Sequence, residues 1–284
     1  MIGFTKRCLK VFFRDKTAVF FSLLSVLIVI GLYVMFLRDT ILSGWEQVGE
    51  IGTLMDSWLV SGMLAVTATT TTLGMFGIMI DDKVKRIEKD FACSPLPRRS
   101  LVGGYILSGC IVGMLMSLLA FVISEIYLVC SGGELLSGLS ILKILGIMAL
   151  SVLSSSAMVF FCVSFFKSQS AFATASTILG TLIGFVTGVY IPIGTLPAAM
   201  QWVIKVFPIS HAAVLYRQVL TEAPMQHAFG AAPAQAADSF REQMGLTLKV
   251  GNTEISALIS VLVLVGTAVL FYCLALWNLS RKKK

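Results

Sequence analysis

The sequence predicts an all-α polytopic membrane protein: six transmembrane helices, an N-terminal interfacial helix and short re-entrant helices on the outer side. Three observations carry this. Hydrophobic residues make up 57% of the 284 positions and charged residues 13%, against about 45–50% and about 25% in an average soluble domain. Six apolar runs are each long enough to cross ~30 Å of hydrocarbon as a helix. The basic residues flank those runs, as topology signals do. Soluble enzymes, disordered chains and disulfide-rich modules are excluded, because so few charges could not cover so much apolar surface in water.

The first element, residues 2–16, reads as an interfacial helix. Phe4, Cys8, Val11 and Phe12 share one face, and Lys6, Arg7, Lys10 and Arg14 supply a basic one. A basic flank that only sets topology is the alternative. Asp15 stands where an N-cap for the first span would be. The spans are predicted at Thr17–Leu37, Ser57–Ile80, Leu101–Val129, Ile141–Phe166, Ala171–Val189 and Ile255–Trp277. Helices are required, because open strands would leave backbone groups unpaired in lipid. Most of the 22 basic residues fall in the N-terminal stretch, the loop after span two, Lys167 and the tail Arg281–Lys284. The positive-inside rule makes that side cytoplasmic, with both termini inside a multi-pass protein of the cell membrane.

Between the spans, the 81–100 loop is the most densely charged segment. Val84, Ile87 and Phe91 fall on one stripe of a helix running from Asp81 to Phe91, which Pro95 and Pro97 end. This stripe suits a docking helix for a cytoplasmic partner, or a helix resting on lipid headgroups. The 190–254 segment carries Pro192, Pro197 and Pro208 around two short apolar stretches, Leu196–Phe207 and His211–Leu220, which are candidate re-entrant helices. Thr221–Asn252 reads as a polar external cap. The whole chain forms one membrane domain, closed by span six and a basic tail over 255–284.

Small residues recur every four positions at Gly109 and Gly113 in span three, and at Gly180, Gly184 and Gly188 in span five, a spacing that permits close helix approach. The threonines of span two, Thr67 and Thr69–Thr72, are expected to bond carbonyls of their own helix, or else to form the polar wall of a path. No ionisable residue lies near the middle of a span. Glu125 comes nearest, and a pair with Lys143 is expected. Ion-coupled carriers keep an ionisable group at membrane depth, so the energy is expected to come from elsewhere. The Walker pattern G-x-x-x-x-G-K-[ST] does not occur. His211 and His227 are isolated, and the six cysteines have neither zinc-type nor disulfide spacing. No catalytic residue, resident cofactor or metal site is expected, and the charge pattern does not point to nucleic acid.

Taken in order, several stretches resemble the permease subunit of a type-2 ATP-binding-cassette exporter. They are Arg14-Asp15-Lys16 before the first span, Ser94-Pro95-Leu96-Pro97-Arg98-Arg99 followed by Leu101 to Gly104, and Pro192, Leu196-Pro197 and Phe207-Pro208 running on to Tyr216-Arg217. The resemblance implies six helices per subunit and a dimer of identical or different permease subunits. It also implies two copies of a separate cytoplasmic ATPase that holds ATP and Mg. It would make Lys83, Val84, Lys85, Arg86, Ile87, Glu88, Lys89, Asp90 and Phe91 the coupling helix that docks on the ATPase. The N-terminal helix would be the family's connecting helix. The outer helices, with Pro192, Pro197, Pro208, Tyr216 and Arg217, would close the exit. The family often carries a Glu-Gly-Thr-like stretch where this chain reads Glu88-Lys89-Asp90-Phe91-Ala92-Cys93. The expected function is outward movement of a hydrophobic or amphipathic solute, with ATP hydrolysed by a partner. An ATP-independent carrier and a non-transporting assembly subunit are the alternatives.

Overall fold

A computed structural model describes residues 1–38, 51–93, 98–230, 233–250 and 253–281. Helix α1 is Ile2–Arg14 and α2 is Lys16–Leu32, extended by a π-helical turn over Tyr33–Leu37. Next come α3 (Ile51–Val84), the short α4 (Ile87–Ala92), α5 (Arg98–Cys130), α6 (Gly138–Val163) and α7 (Gln169–Val186). A cap region follows, with α8 (Ala198–Val206), α9 (Pro208–Leu220), α10 (Glu222–Phe229) and α11 (Ala234–Gln243). An antiparallel ribbon of two residues per strand, β1 (Lys249–Val250) and β2 (Thr253–Glu254), precedes α12 (Ala257–Arg281). It is an addition to the all-α expectation.

Among the described residues, six helices are long and apolar enough to cross a membrane: Lys16–Leu37, Ile51–Val84, Ser100–Cys130, Gly138–Val163, Gln169–Val186 and Ala257–Ala275. Each corresponds to one of the six runs. Their starts are set by local chemistry. The Asp15 carboxylate accepts the Ala18 N–H at 3.0 Å, as expected of that cap. Ser137 and Ser168 cap α6 and α7 in the same way, through the N–H groups of Ser140 and Ala171. Helix α3 overshoots its expected limits at both ends, because Ile51, Leu54 and Met55 at one end and Asp82 at the other are buried.

Helix α3 is the mast of the bundle, with α5, α6, α7 and α9 packed around it. It carries Trp58, Leu64, Met75 and Phe76 fully into the core. By contrast α2, α7 and α12 turn large apolar side chains outward, among them Phe20, Phe21, Ile178, Leu182, Leu262 and Val269. Such surfaces suit hydrocarbon and would be untenable in water. The threonines of α3 face inward and are largely self-satisfied. Thr67, Thr71 and Thr72 donate to the carbonyls of Met63, Thr67 and Ala68, and Thr69 also meets Ser155 of α6 at 2.8 Å.

The glycine stripes divide. A Cβ on Gly109 would stand 2.8 Å from the Phe76 ring and 2.9 Å from Ser156 Oγ, and one on Gly113 would stand 2.8 Å from both Thr72 and Val152. These two glycines let α5 approach α3 and α6 at once. Gly184 is covered by the Tyr190 ring, and Gly188 (φ +71°) abuts Ile193, so both receive the chain's own cap region rather than another span. Gly180 has nothing near it. Gly113→Leu should therefore destabilise the bundle by about 1–3 kcal/mol through overpacking, whereas Gly180→Ala should not. Thermal unfolding of the detergent-solubilised protein distinguishes the two.

Candidate functional site

Two polar nodes sit at opposite ends of α3. The first joins the N-terminal helix to the bundle. Arg7 of α1 makes a bidentate pair with Asp82 at the end of α3, through Nη1 to Oδ2 at 2.5 Å and Nη2 to Oδ1 at 2.7 Å. Tyr105 of α5 donates its hydroxyl to the same carboxylate at 2.6 Å. The side chain of Asp82 is 3% exposed and that of Arg7 31%. Hydrogen bonding to Asp82 holds the Arg7 guanidinium above its ordinary range, so Arg7 stays charged at any physiological pH. Fork-to-fork geometry makes it both strong and directional.

Aromatic packing extends this node to α4. Phe4 of α1 meets Phe91 of α4 edge-on at 5.1 Å and Tyr105 at 4.8 Å. The Arg7 guanidinium lies over the Phe91 ring at 5.3 Å. Gly104 permits the approach, since a Cβ there would stand 2.6 Å from the Phe4 ring. The Thr5 hydroxyl donates to the Gly104 carbonyl at 3.4 Å.

Two expectations change here. The apolar face of α1 reads in sequence as lipid-facing, but Phe4, Cys8 and Phe12 are buried against the bundle, because α3 and α5 already offer an apolar seat. Burial accordingly pushes the Cys8 thiol up. Lys6, Lys10 and Arg14 remain exposed on the other face. The helix expected from Asp81 to Phe91 is in fact two. Lys83 and Val84 complete α3, Lys85 pairs with Asp81 at 3.6 Å, and the chain turns at Arg86, whose φ is +60°. Helix α4 then holds Ile87 to Ala92. A straight continuation would carry Phe91 away from the bundle; the turn places it on Phe4 and leaves Asp90 exposed. The Glu88 and Lys89 side chains and Ser94–Pro97 lie outside the described residues.

The second node lies at the cap end. Helices α8 and α9 meet at 88°. The bend falls at Phe207-Pro208, where proline disfavours helix in the residue before it and opens α9 as its first residue. Pro192 precedes a 3-10 turn over Ile193–Thr195, and Pro197 occupies the cap position of α8. Tyr216 and Arg217 of α9 are both fully buried. Arg217 donates to the carbonyls of Thr187 at 2.7 Å, Gly188 at 3.3 Å and Gly245 at 3.2 Å, and its guanidinium lies over Trp58 at 5.0 Å. The indole N–H of Trp58 donates to Met244 O at 2.7 Å. No carboxylate pairs with Arg217 among the described residues; the C-terminal carbonyls of α7, the negative end of its dipole, take that place. This one side chain ties α9 to α7, to the cap and to the mast.

Other polar groups at this end find partners of their own. Asp56 is fully buried, 3.4 Å from Arg38, and accepts the Tyr127 hydroxyl at 3.0 Å. The expected Glu125–Lys143 pair does not form. Glu125 accepts the Leu136 N–H at 3.1 Å, and Lys143 instead faces Glu222 at 3.8 Å, a helix invisible to local spacing. His211 is buried between Ser260 Oγ at 3.1 Å and Lys205 O at 2.9 Å, a structural tie between α8, α9 and α12. Asp82, Tyr105 and Trp58 were not singled out by sequence reasoning. A signal existed for Asp82, an acid at the apolar border of a span beside basic neighbours. None existed for Tyr105 or Trp58.

A helical bundle with six membrane-length spans among the described residues, a bent helix pair at one end and a clamped amphipathic helix at the other defines a polytopic membrane protein. The chain belongs to the ABC-2 transporter family: the family model described as ABC-2 family transporter protein matches residues 50–277. No curated protein matches it.

Removing the Arg7 side chain would strand a buried carboxylate. Breaking a buried pair costs about 3–5 kcal/mol, and partial exposure of Arg7 brings the expectation for Arg7→Ala to about 2–3 kcal/mol. Tyr105→Phe should cost about 1 kcal/mol. Denaturation of the two variants in one detergent should reproduce that order. Arg217→Leu should orphan three carbonyls and loosen the cap, read as faster proteolysis between residues 190 and 254.

Proposed function

We propose that this chain is the membrane-spanning permease subunit of an ATP-driven exporter, moving a hydrophobic or amphipathic solute out of the cytoplasm while a separate pair of ATPase subunits, holding ATP and Mg, hydrolyses the nucleotide. The observation that carries the reading is the continuity from α4 through Phe91, Phe4 and Arg7 to Asp82. Helix α4 lies on the side of the bundle that carries the basic N-terminal helix, which the positive-inside rule makes cytoplasmic. In that orientation both termini are cytoplasmic and the α8–α9 pair faces out of the cell membrane.

The mechanism follows from stiffness. Helix α3 has 34 residues and is ~50 Å long. A load on α4 passes by ring contact to α1 and by the Asp82 carboxylate to α3 and α5. Movement of the mast at that end changes the contacts of its Trp58 with Arg217 and α9 at the other. Closure of the ATPase pair on ATP would favour one packing of the bundle and release the other, since only differential contact with two states can drive the cycle. The bent pair, with Pro192, Pro197 and Pro208 at its joints and Arg217 as its staple, is the exit gate in this account.

The outward face of α7 is the seat for a second permease subunit, identical or different. Gly180 there permits close helix approach, since an added Cβ would meet nothing within 4 Å among the described residues.

Reversing Lys85, Arg86 and Lys89 together to Glu should abolish co-purification with the ATPase and uncouple hydrolysis from export. Unchanged export by the triple variant would overturn the docking role. Cys93, exposed just after α4, should react with an impermeant maleimide only from the cytoplasmic face, and binding of the ATPase should protect it.

A further inference from the structure

Beyond the transport reading, we infer that the cap end of this chain holds a binding site for a zwitterionic phospholipid, its headgroup at the rim and one acyl chain directed into the bundle. The cavity lies under α10 and α11, between the first half of α6, the start of α12 and the end of α9, and measures about 950 Å³. That is near the top of the range of about 300–1,000 Å³ in which small-molecule sites fall.

Its two ends differ in chemistry. The deep end is apolar, formed by Ile147, Leu150, Leu215 and Val219. Along α6 the lining descends from Lys143 through Gly146 to Leu150, a drop of ~10 Å from headgroup level to acyl-chain level. Gly146 opens a slot in this wall, where an added Cβ would meet nothing within 4 Å. The mouth is charged with both signs. Lys143 faces Glu222 at 3.8 Å, and Arg241 faces Asp238 at 3.4 Å, with Glu254 beside them. All four paired side chains are about half exposed or more, so these ion pairs are loose and open to exchange with a ligand. A head carrying a phosphate and an ammonium matches such a mouth: the phosphate meets Lys143 and Arg241, the ammonium Glu222 and Asp238. The carboxylates outnumber the cations in the lining, which disfavours a head of purely negative charge.

The test uses the full-length protein in nanodiscs of one fixed mixture of phosphatidylethanolamine and phosphatidylglycerol. A trace of diazirine-tagged phosphatidylethanolamine is added to one sample and of the phosphatidylglycerol analogue to the other, and labelled peptides are mapped after irradiation. The ethanolamine probe should label residues 143–150 or 215–230 about threefold more than the glycerol probe, the size expected of one or two exposed charge pairs. Gly146→Phe should remove that labelling by filling the slot, with Gly146→Leu as the milder variant, while Gly31→Phe on α2, which also has open space, should leave it intact. Glu222→Gln combined with Asp238→Asn should bring the two probes level. Equal labelling by both probes in the unaltered chain would overturn the headgroup assignment. Ethanolamine labelling that survives Gly146→Phe, in a protein that melts as the parent does, would overturn the site. The readout is lipid attachment rather than transport, so it stands or falls apart from the export reading.

Discussion

Everything on the N-terminal side of this molecule depends on how one buried carboxylate is satisfied. Asp82 sits at the end of the most buried helix, where an unpaired charge would cost several kcal/mol. Arg7 of α1 supplies two hydrogen bonds to it and Tyr105 of α5 a third. The requirement for neutralisation is thus converted into a geometric constraint on α1, α3 and α5. Because Arg7 also lies over Phe91, helix α4 cannot shift without altering the surroundings of that pair. An apolar contact in the same place would slide; a bidentate ion pair holds register.

The opposite end uses the same device with different parts. Arg217 is as buried as a charge can be, yet its partners are carbonyl oxygens and an aromatic face. Gly188 is part of this arrangement. Its positive φ turns the chain after α7 and its missing side chain leaves room for the guanidinium. The mast α3 contributes to both nodes, with Asp82 at one end and Trp58 at the other, so a single continuous helix joins them.

Much of this was legible from residue order. The six spans, the Asp15 cap and the helix-breaking prolines at 192, 197 and 208 all act within a few residues of themselves, through backbone satisfaction in lipid or through a fixed φ. The short helix before Cys93 was legible in part. Its stripe of Val84, Ile87 and Phe91 is real as a pattern, but the turn at Arg86 divides it, because the seat for Phe91 lies on α1, some eighty residues away in sequence. The Glu125–Lys143 expectation failed for a related reason. Both residues were correctly placed near one end of the bundle, but the cap brings in Glu222, and no periodicity reports where a cap folds back.

The amino-acid order alone therefore determined the solvent for which this chain is built, the number and approximate positions of its membrane helices, and the prolines at which helices must stop. These follow from hydrophobic length, charge placement and proline, which need no distant partner. Tertiary structure decided which polar groups meet. It buried the apolar face of α1 in protein instead of lipid, joined Arg7 to Asp82, set Arg217 among carbonyls, and opened a charged-mouthed cavity beneath the cap. Ion pairing and hydrogen bonding are short-ranged and directional, so their outcome rests on which helices pack together, and that packing becomes readable only in three dimensions.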